Sequence, residues 1–133
     1  MGRQRNANVL VIERDPVIAE KIESLLKERS YAPITVSQKE EAIRLLKKNN
    51  YPLAIVGDTR ESDSVFESMK DIVMTSPMTS MILITDLPKK EVDEKAEGYG
   101  ILGHINRKIP PEDLTSLLEN FENILKSYDR TAI

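Results

Sequence analysis

The chain has 133 residues, of which 40% are hydrophobic and 31% are charged. This length and balance predict one domain over residues 1–133, with a core of about 8–127, and exclude wholesale disorder. The absence of cysteine and the single histidine exclude disulfide scaffolds, zinc fingers and iron–sulfur sites. The net charge of −3 argues against nucleic acid or an anionic membrane surface as a partner.

Targeting signals are also missing from the sequence. No aliphatic run approaches the length of a transmembrane helix. No apolar stretch of signal-peptide length follows the basic start of the chain. We therefore expect a cytoplasmic protein.

Short apolar stretches alternate with amphipathic ones along the chain. The first strand is predicted at Asn8–Glu13, followed by a helix that Asp15 caps and Pro16 begins. A second strand, Ala32–Val36, precedes a helix that a capping box at Ser37–Glu40 opens. The remaining predicted elements, in chain order, are the strand Leu53–Gly57, a helix with the apolar stripe Val65, Phe66, Met69, Ile72 and Val73, the strand Met81–Thr85, a weak helix Leu87–Tyr99, the strand Ile101–Asn106 and the helix Pro110–Leu125.

This fivefold alternation of strand and helix predicts an α/β fold. Strands that are apolar throughout indicate a parallel sheet with helices on both faces, a (βα)5 three-layer sandwich. Right-handed crossovers favour the flavodoxin-like strand order 2-1-3-4-5. In such a sheet the functional site lies outside the carboxyl ends of the strands, beside strands 1 and 3.

The residues at those carboxyl ends suggest phosphoryl chemistry. The strand ends are Glu13-Arg14-Asp15, Asp58, Thr85-Asp86 and Arg107-Lys108. A carboxylate can accept a phosphoryl group, while a cation neutralises its oxygens and a hydroxyl donates a hydrogen bond to one of them. Each residue taken alone is more often a solvated loop residue. The turn after the first strand has no GxGxxG and no Walker loop, so dinucleotide binding is not expected.

In their order and spacing these motifs resemble a response-regulator receiver (CheY-like) domain over about residues 8–127. The motifs that carry the resemblance are Val9–Pro16, Leu53–Asp58, Met81–Thr85 and Gly103–Leu114. The resemblance implies that Asp58 is the phosphoacceptor and Thr85 the switch hydroxyl. It also implies that Arg107 or Lys108 is the cation that contacts the phosphate.

The acidic cluster departs from the family pattern. Arg14 stands where the resemblance places a second acid that binds Mg²⁺, and a guanidinium cannot ligate a cation. Glu13 and Asp58 remain as candidate metal ligands, so Mg²⁺ binding is expected to be weak or absent, with Arg14 as a cation of the altered site. Asp86 stands where the family has a small residue, and its charge would repel an incoming phosphoryl group.

Two functions therefore stay open, and neither is that of an enzyme. In the first, Asp58 accepts a phosphoryl group from a sensor histidine kinase or phosphotransfer protein and switches a protein-interaction face. In the second, a permanent ion pair between Arg14 and Asp58 makes the chain a pseudo-receiver, a phosphorylation-independent interaction module. A small flavodoxin-like ligand-binding domain is a third class, but the loops lack its phosphate-binding and cobalamin-binding motifs.

The resemblance also implies a surface for self-association. Receivers commonly pair through the fourth helix, fifth strand and fifth helix, which here include the charged segment Lys89–Glu97. We expect a weak, salt-sensitive homodimer through that face. His104 takes the aromatic switch position of the family and is expected to be a packing residue.

Overall fold

In the computed structural model, which describes residues 7–61 and 64–131, with side chains as far as 127, strands and helices alternate along the chain. The strands are β1 (Asn8–Ile12), β2 (Ala32–Val36), β3 (Leu53–Val56), β4 (Ser80–Ile84) and β5 (Gly103–Ile105). The helices are α1 (Pro16–Glu28), α2 (Lys39–Lys48), α3 (Val65–Thr75), α4 (Lys89–Lys95) and α5 (Pro111–Thr131).

The strands form one parallel sheet in the order β2-β1-β3-β4-β5, so the predicted fold class and strand order are confirmed. At the end of β1, Ile12 lies opposite Val36 on one side and Val56 on the other. In β4, Leu83 lies opposite Val56, and Ile84 lies opposite Ile105. The carboxyl ends of the strands therefore reach one edge of the sheet at nearly the same level.

The three central strands are buried on both faces, which is why their sequences are apolar throughout. Side chains alternate between the faces with a period of two. Leu10 and Ile12 pack into the cluster beneath α2 and α3, whereas Val9 and Val11 pack into the cluster beneath α1 and α5. This double-sided packing fixes the register of the sheet, because a slip of one residue would exchange the two sets.

The starts of the first two helices use different caps. The predicted cap of α1 is confirmed, since the Asp15 side chain accepts from the N–H of Val17 at 2.9 Å and Pro16 is the first helical residue. The predicted capping box of α2 is wrong. The N-cap is Gln38 without a side-chain cap bond. A carboxylate from a distant loop supplies the acceptors instead.

Three other predicted boundaries shift. Helix α4 covers only seven residues of the predicted Leu87–Tyr99 segment, because Gly98 and Gly100 adopt the left-handed region with φ of 87° and 68°. Strand β5 is shorter than predicted, and α5 runs beyond Leu125. Among the described helices, none is both long and apolar enough to cross a bilayer.

Candidate functional site at the carboxyl edge of the sheet

The first residue after β1, Glu13, lies at the centre of this edge and its side chain is fully buried. Its Oε1 accepts from Arg107 Nη1 at 3.0 Å and from the N–H of Asp58 at 3.2 Å. Its Oε2 accepts from Arg107 Nη2 at 2.7 Å and from the N–H of Asp15 at 2.9 Å. A buried carboxylate is stable only when it is paired and hydrogen-bonded, and Glu13 meets both conditions.

Gly57 makes room for the Glu13 carboxylate. This residue follows β3 and donates its N–H to the carbonyl of Ile12 at 2.7 Å. A Cβ at position 57 would lie 2.0 Å from Glu13 Oε1, well inside van der Waals contact. The glycine therefore allows a glutamate to fold across the neighbouring strand and reach the backbone of Asp58.

Arg107 is the basic residue that reaches the acidic centre. Besides its paired bonds to Glu13, its Nη1 lies 3.4 Å from Asp58 Oδ2. The hydrogen bond with Glu13 raises the pKa of Arg107 above its usual range, with smaller contributions from the charges of Glu13 and Asp58. Asp86 Oδ1 accepts from the backbone N–H of Arg107 at 2.9 Å and so fixes the loop that carries it.

Of the two predicted cations, Arg107 and Lys108, it is Arg107 that lies beside Asp58. Lys108 is exposed, and its carbonyl accepts from Lys21 Nζ at 3.3 Å. The Asp86 carboxylate, which the sequence predicts to repel an incoming phosphoryl group, is exposed and accepts from the Arg107 backbone N–H.

The predicted acceptor, Asp58, lies directly after Gly57 at the end of β3. Its side chain is 39% exposed, in contrast to the buried Glu13. The ion pair between Arg14 and Asp58, which the pseudo-receiver hypothesis assumed, is not formed. The Arg14 side chain is exposed and pairs with no carboxylate in the described part of the chain, while its backbone N–H donates to the Asp58 carbonyl at 2.8 Å. The guanidinium beside Asp58 belongs to Arg107. This residue follows β5, which lies on the other side of β3 from β1, the strand that Arg14 follows.

Thr85 follows β4 as Asp58 follows β3. Since Val56 lies opposite Leu83, Asp58 and Thr85 lie at the same level on neighbouring strands. The Thr85 hydroxyl is nearly buried and accepts from the N–H of Leu87 at 3.2 Å. Its backbone N–H donates to the carbonyl of Ile105 at 2.9 Å. The hydroxyl is thus held in a local turn on the strand end next to that of Asp58.

The loop after Asp58 is tied to α2 through Glu61, a residue that the sequence did not single out for this role. Glu61 accepts from the N–H groups of Lys39 and Glu40 at 2.9 and 3.2 Å. The backbone bond from Lys39 is the main reason why the pKa of Glu61 is lowered. The N–H of Arg60 also donates to the Ser37 carbonyl at 3.0 Å. These bonds anchor the segment that follows the acceptor.

His104 lies on β5, opposite Leu83 of β4, and is half-buried. On the neighbouring residue, Gly103, a Cβ would lie 2.7 Å from Leu117 Cδ2, so α5 packs closely against this strand. The placement agrees with a packing role for His104.

Several solved structures that superpose on this chain are receiver domains. The signal receiver domain of an HD domain-containing protein from Pseudomonas fluorescens superposes with a TM-score of 0.80 and 20% identity, over 98% of this chain and 96% of that one. The chain has the fold of a response-regulator receiver domain. The receiver domain of a sensor histidine kinase from Pseudomonas aeruginosa, with a magnesium ion coordinated in its active-site cleft, superposes with a TM-score of 0.73 and 16% identity, over 87% and 97% of the two chains.

Sequence comparison agrees with this receiver fold. The cell cycle response regulator CtrA of Brucella ovis is 22% identical over 125 residues, which cover 94% of this chain. The chain spans about half the length, 54%, of that curated relative. Comparison with models of known protein families finds no match.

The receiver fold implies a divalent cation beside the acceptor, and the residues present here do not fit one. The carboxylate of Glu13 is closed by Arg107 and by two backbone N–H groups. Arg14 offers no ligand oxygen from its side chain. No group of three or more acidic, histidine or cysteine side chains is arranged to hold a metal ion within residues 7–61 and 64–127. Glu13, predicted as a metal ligand, is instead paired with Arg107.

The sequence reasoning placed Glu13, Asp58, Thr85 and Arg107 at one edge, and the structure brings them together there. It missed the role of Gly57. The one signal in the sequence was the length of the Glu13 side chain, because a glutamate at the end of a buried strand needs space from a small neighbouring residue such as Gly57. The capping role of Glu61 had no signal, because it depends on a contact between loops 21 residues apart.

Proposed function

We propose that the chain is a phosphoacceptor receiver domain that changes a protein-interaction face when Asp58 is modified. The observation that carries the proposal is the contrast between two carboxylates at one sheet edge. Glu13 is buried and fully paired, whereas Asp58 is open to a donor and lies 3.4 Å from a guanidinium. An exposed carboxylate beside a fixed cation suits attack on a phosphoryl group.

The donor in this proposal is a phosphohistidine on a sensor kinase or phosphotransfer protein. An Asp58 carboxylate oxygen attacks phosphorus, the new O–P bond forms as the P–N bond breaks, and the departing imidazole takes up a proton. Arg107 neutralises charge on the phosphoryl oxygens, and the Thr85 hydroxyl turns from its local bond to donate to one of them. The chain is a stoichiometric acceptor in this scheme and acts in the cytoplasm.

An apolar surface beside the site supports a protein donor. Val17, in the first turn of α1, is 67% exposed. A groove of about 350 Å³ lies further along α1, with an apolar part formed by Leu25, Ile109, Pro110 and Pro111 and a polar part formed by Glu20, Lys21, Ser24 and Lys108. Apolar residues next to an acceptor provide contact area for a partner that must align its phosphohistidine with Asp58.

The phosphorylation-independent module is the second candidate, and one observation favours it. Arg107 already bridges Glu13 and Asp58 in the unmodified chain. A site that is closed in this way can serve as a rigid interaction surface without any modification.

Treatment with acetyl phosphate, read by intact mass, separates the two functions. The proposal expects the native chain to gain the mass of one phosphoryl group, with acetate as the leaving group. Asp58→Asn is the matched control and should gain none, while Glu28→Gln, at an exposed position at the far end of α1, should gain the same mass as the native chain. An unchanged mass of the native chain, with and without Mg²⁺, would favour the phosphorylation-independent module.

The interaction face is proposed to include α4, β5 and α5 and to support a weak homodimer. Within α4, Lys89 pairs with Asp93 at 2.7 Å and Lys95 with Glu91 at 3.3 Å. Exposed charges at the rim of an interface affect register and association rate more than affinity, so the proposed dimer is weak. Sedimentation at low and high salt, on native chain and on chain treated with acetyl phosphate, tests the dimer. A monomer in all four conditions refutes it.

A further inference from the structure

The guanidinium of Arg107 lies between two carboxylates. Its Nη1 is 3.0 Å from Glu13 Oε1 and 3.4 Å from Asp58 Oδ2, and its Nη2 is 2.7 Å from Glu13 Oε2. A divalent cation in such a site would also be shared by the two acids. Here one positive charge, covalently attached to the chain, links them.

The carboxylate of Glu13 has no lone pair left for a metal ion. A carboxylate offers about four acceptor sites. The four donors on Glu13 are two guanidinium nitrogens of Arg107 and the backbone N–H groups of Asp15 and Asp58. Because the residue is buried, a cation would have to displace Arg107 and leave that charge without its partner.

Two further contacts show that the pair is built into the fold. Gly57 supplies the space that the Glu13 carboxylate fills, since any Cβ there would collide with it. Asp86 holds the backbone of Arg107 from the neighbouring loop. Residues that follow β1, β3, β4 and β5 thus position one ion pair, and this preorganisation distinguishes it from a mobile surface contact.

We propose that the guanidinium of Arg107 takes the place of the divalent cation, so that this receiver excludes Mg²⁺ and presents a permanent positive charge to anions that reach Asp58. The exclusion of the ion stands on the geometry alone. Its consequence, that modification of Asp58 is independent of Mg²⁺, rests on the proposed function.

The first test is paramagnetic Mn²⁺, followed in ¹H–¹⁵N NMR spectra of the full chain. In the native protein, the signals of residues 13–15 and 57–59 should broaden no more than those of exposed acidic surfaces such as α4. The double variant Arg14→Asp/Arg107→Lys restores an acid and frees Glu13, because lysine cannot pair with it bidentately. It should bind Mn²⁺ at least tenfold more tightly than the native chain. Arg14→Asp alone, which leaves Glu13 paired, should gain less.

Selective broadening of residues 13–15 and 57–59 in the native chain would overturn the proposal. So would tight Mn²⁺ binding by Arg14→Asp alone, since Arg107 would then be no barrier. Because lysine keeps the positive charge near Asp58, the double variant should remain folded, and its NMR dispersion reports that directly.

The second test uses beryllofluoride, which mimics a phosphoryl group on an aspartate. The native chain should show the same shifts of Asp58 and Thr85 in EDTA as in Mg²⁺, with saturation points within about twofold. Saturation that requires Mg²⁺ would overturn the cation-replacement proposal and leave the acceptor function intact. No shift under either condition would overturn the acceptor function, while the Mn²⁺ result alone would still decide the exclusion of the ion.

Discussion

Two arginine–glutamate pairs of the same chemistry lie at opposite edges of the sheet. At the carboxyl edge, Arg107 contacts the two oxygens of Glu13 at 3.0 and 2.7 Å. At the amino edge, Arg29 contacts the two oxygens of Glu122 at 3.3 and 2.8 Å. The carboxylates differ in burial, since the Glu13 side chain is 0% exposed and that of Glu122 is 22% exposed.

The surroundings of the two pairs explain why the pair at the carboxyl edge belongs to the candidate site and the pair at the amino edge is structural. Glu122 receives a third bond from the Tyr31 hydroxyl at 2.7 Å, and together these residues join α1 and β2 to α5. Burial, followed by that bond, raises the pKa of Tyr31. Beside Glu13, the partly exposed carboxylate of Asp58 lies 3.4 Å from the guanidinium of Arg107. An arginine–glutamate pair therefore stabilises the fold at the amino edge, whereas at the carboxyl edge such a pair also places a positive charge beside Asp58.

The largest expected effect comes from breaking the buried pair. Arg107→Ala leaves Glu13 buried without its partner, so we expect a loss of about 3–5 kcal/mol in the free energy of unfolding. Arg29→Ala is the matched control and should cost about 1 kcal/mol, because Glu122 is partly solvated and keeps its bond from Tyr31. Urea denaturation of both variants measures the difference.

A rescue variant tests the cause. Glu13→Gln/Arg107→Met removes both charges while an amide oxygen keeps one acceptor for the backbone, so it should be more stable than Arg107→Ala. An equal or larger cost for Arg29→Ala would contradict the assigned difference in burial.

Gly57→Ala tests whether the buried Glu13 carboxylate needs the space that the glycine leaves. The new Cβ would collide with Glu13 Oε1, so the variant should lose about 1–3 kcal/mol of stability. In a Glu13→Ala background the collision is gone, and the cost of Gly57→Ala should shrink by at least half. Additive costs in this double-mutant cycle would show that the glycine does not serve Glu13.

The strand order and the position of the site could be predicted from the sequence, but the pairing of its side chains could not. The alternation of apolar strands with amphipathic helices was sufficient for the strand order, because parallel strands buried on both faces admit few topologies. It also placed Glu13, Asp58 and Thr85 at one edge, since the register is fixed by burial. The pairing of side chains within that edge was not predictable, because Arg14 and Arg107 are equally basic and only the direction of each loop decides which one reaches Glu13.

The capping of α2 failed for a related reason. Ser37–Glu40 satisfies the local capping pattern, yet Glu61 from the loop after β3 accepts from the Glu40 N–H that the Ser37 side chain would bind, and also from the Lys39 N–H. Local patterns describe which groups need a partner. A long-range contact determines which partner they find.

At the amino edge we expect a pH-dependent contribution. Burial opposes ionisation of Glu122, but the bonds from Arg29 and Tyr31 outweigh it and lower its pKa below the usual value of about 4.5. The unfolded chain therefore binds the proton more readily, and the stabilisation present at neutral pH is lost as the pH falls below about 4.5. Glu122→Gln should cost about 1 kcal/mol at pH 7 and lose stability less steeply in acid. An identical acid slope in thermal unfolding of the two proteins would refute this.

The smallest expected effect concerns the anchor of the acceptor loop. Glu61→Ala removes the acceptors for Lys39 and Glu40 N–H, and a lost helix cap typically costs about 0.5–1 kcal/mol. Amide exchange should rise in the first turn of α2 and stay unchanged in α5. Glu94→Ala, on the exposed side of α4, is the control for removing a surface charge. If exchange in α2 does not change, Glu61 is not its cap.

The central claim is that Arg107 stands where a divalent cation would lie. A crystal of the native chain soaked in Mn²⁺ tests it most directly, since anomalous scattering locates the metal ion. The account predicts both guanidinium contacts to Glu13 and no anomalous peak between Glu13 and Asp58. A peak at that position, with Arg107 turned away from Glu13, would contradict it.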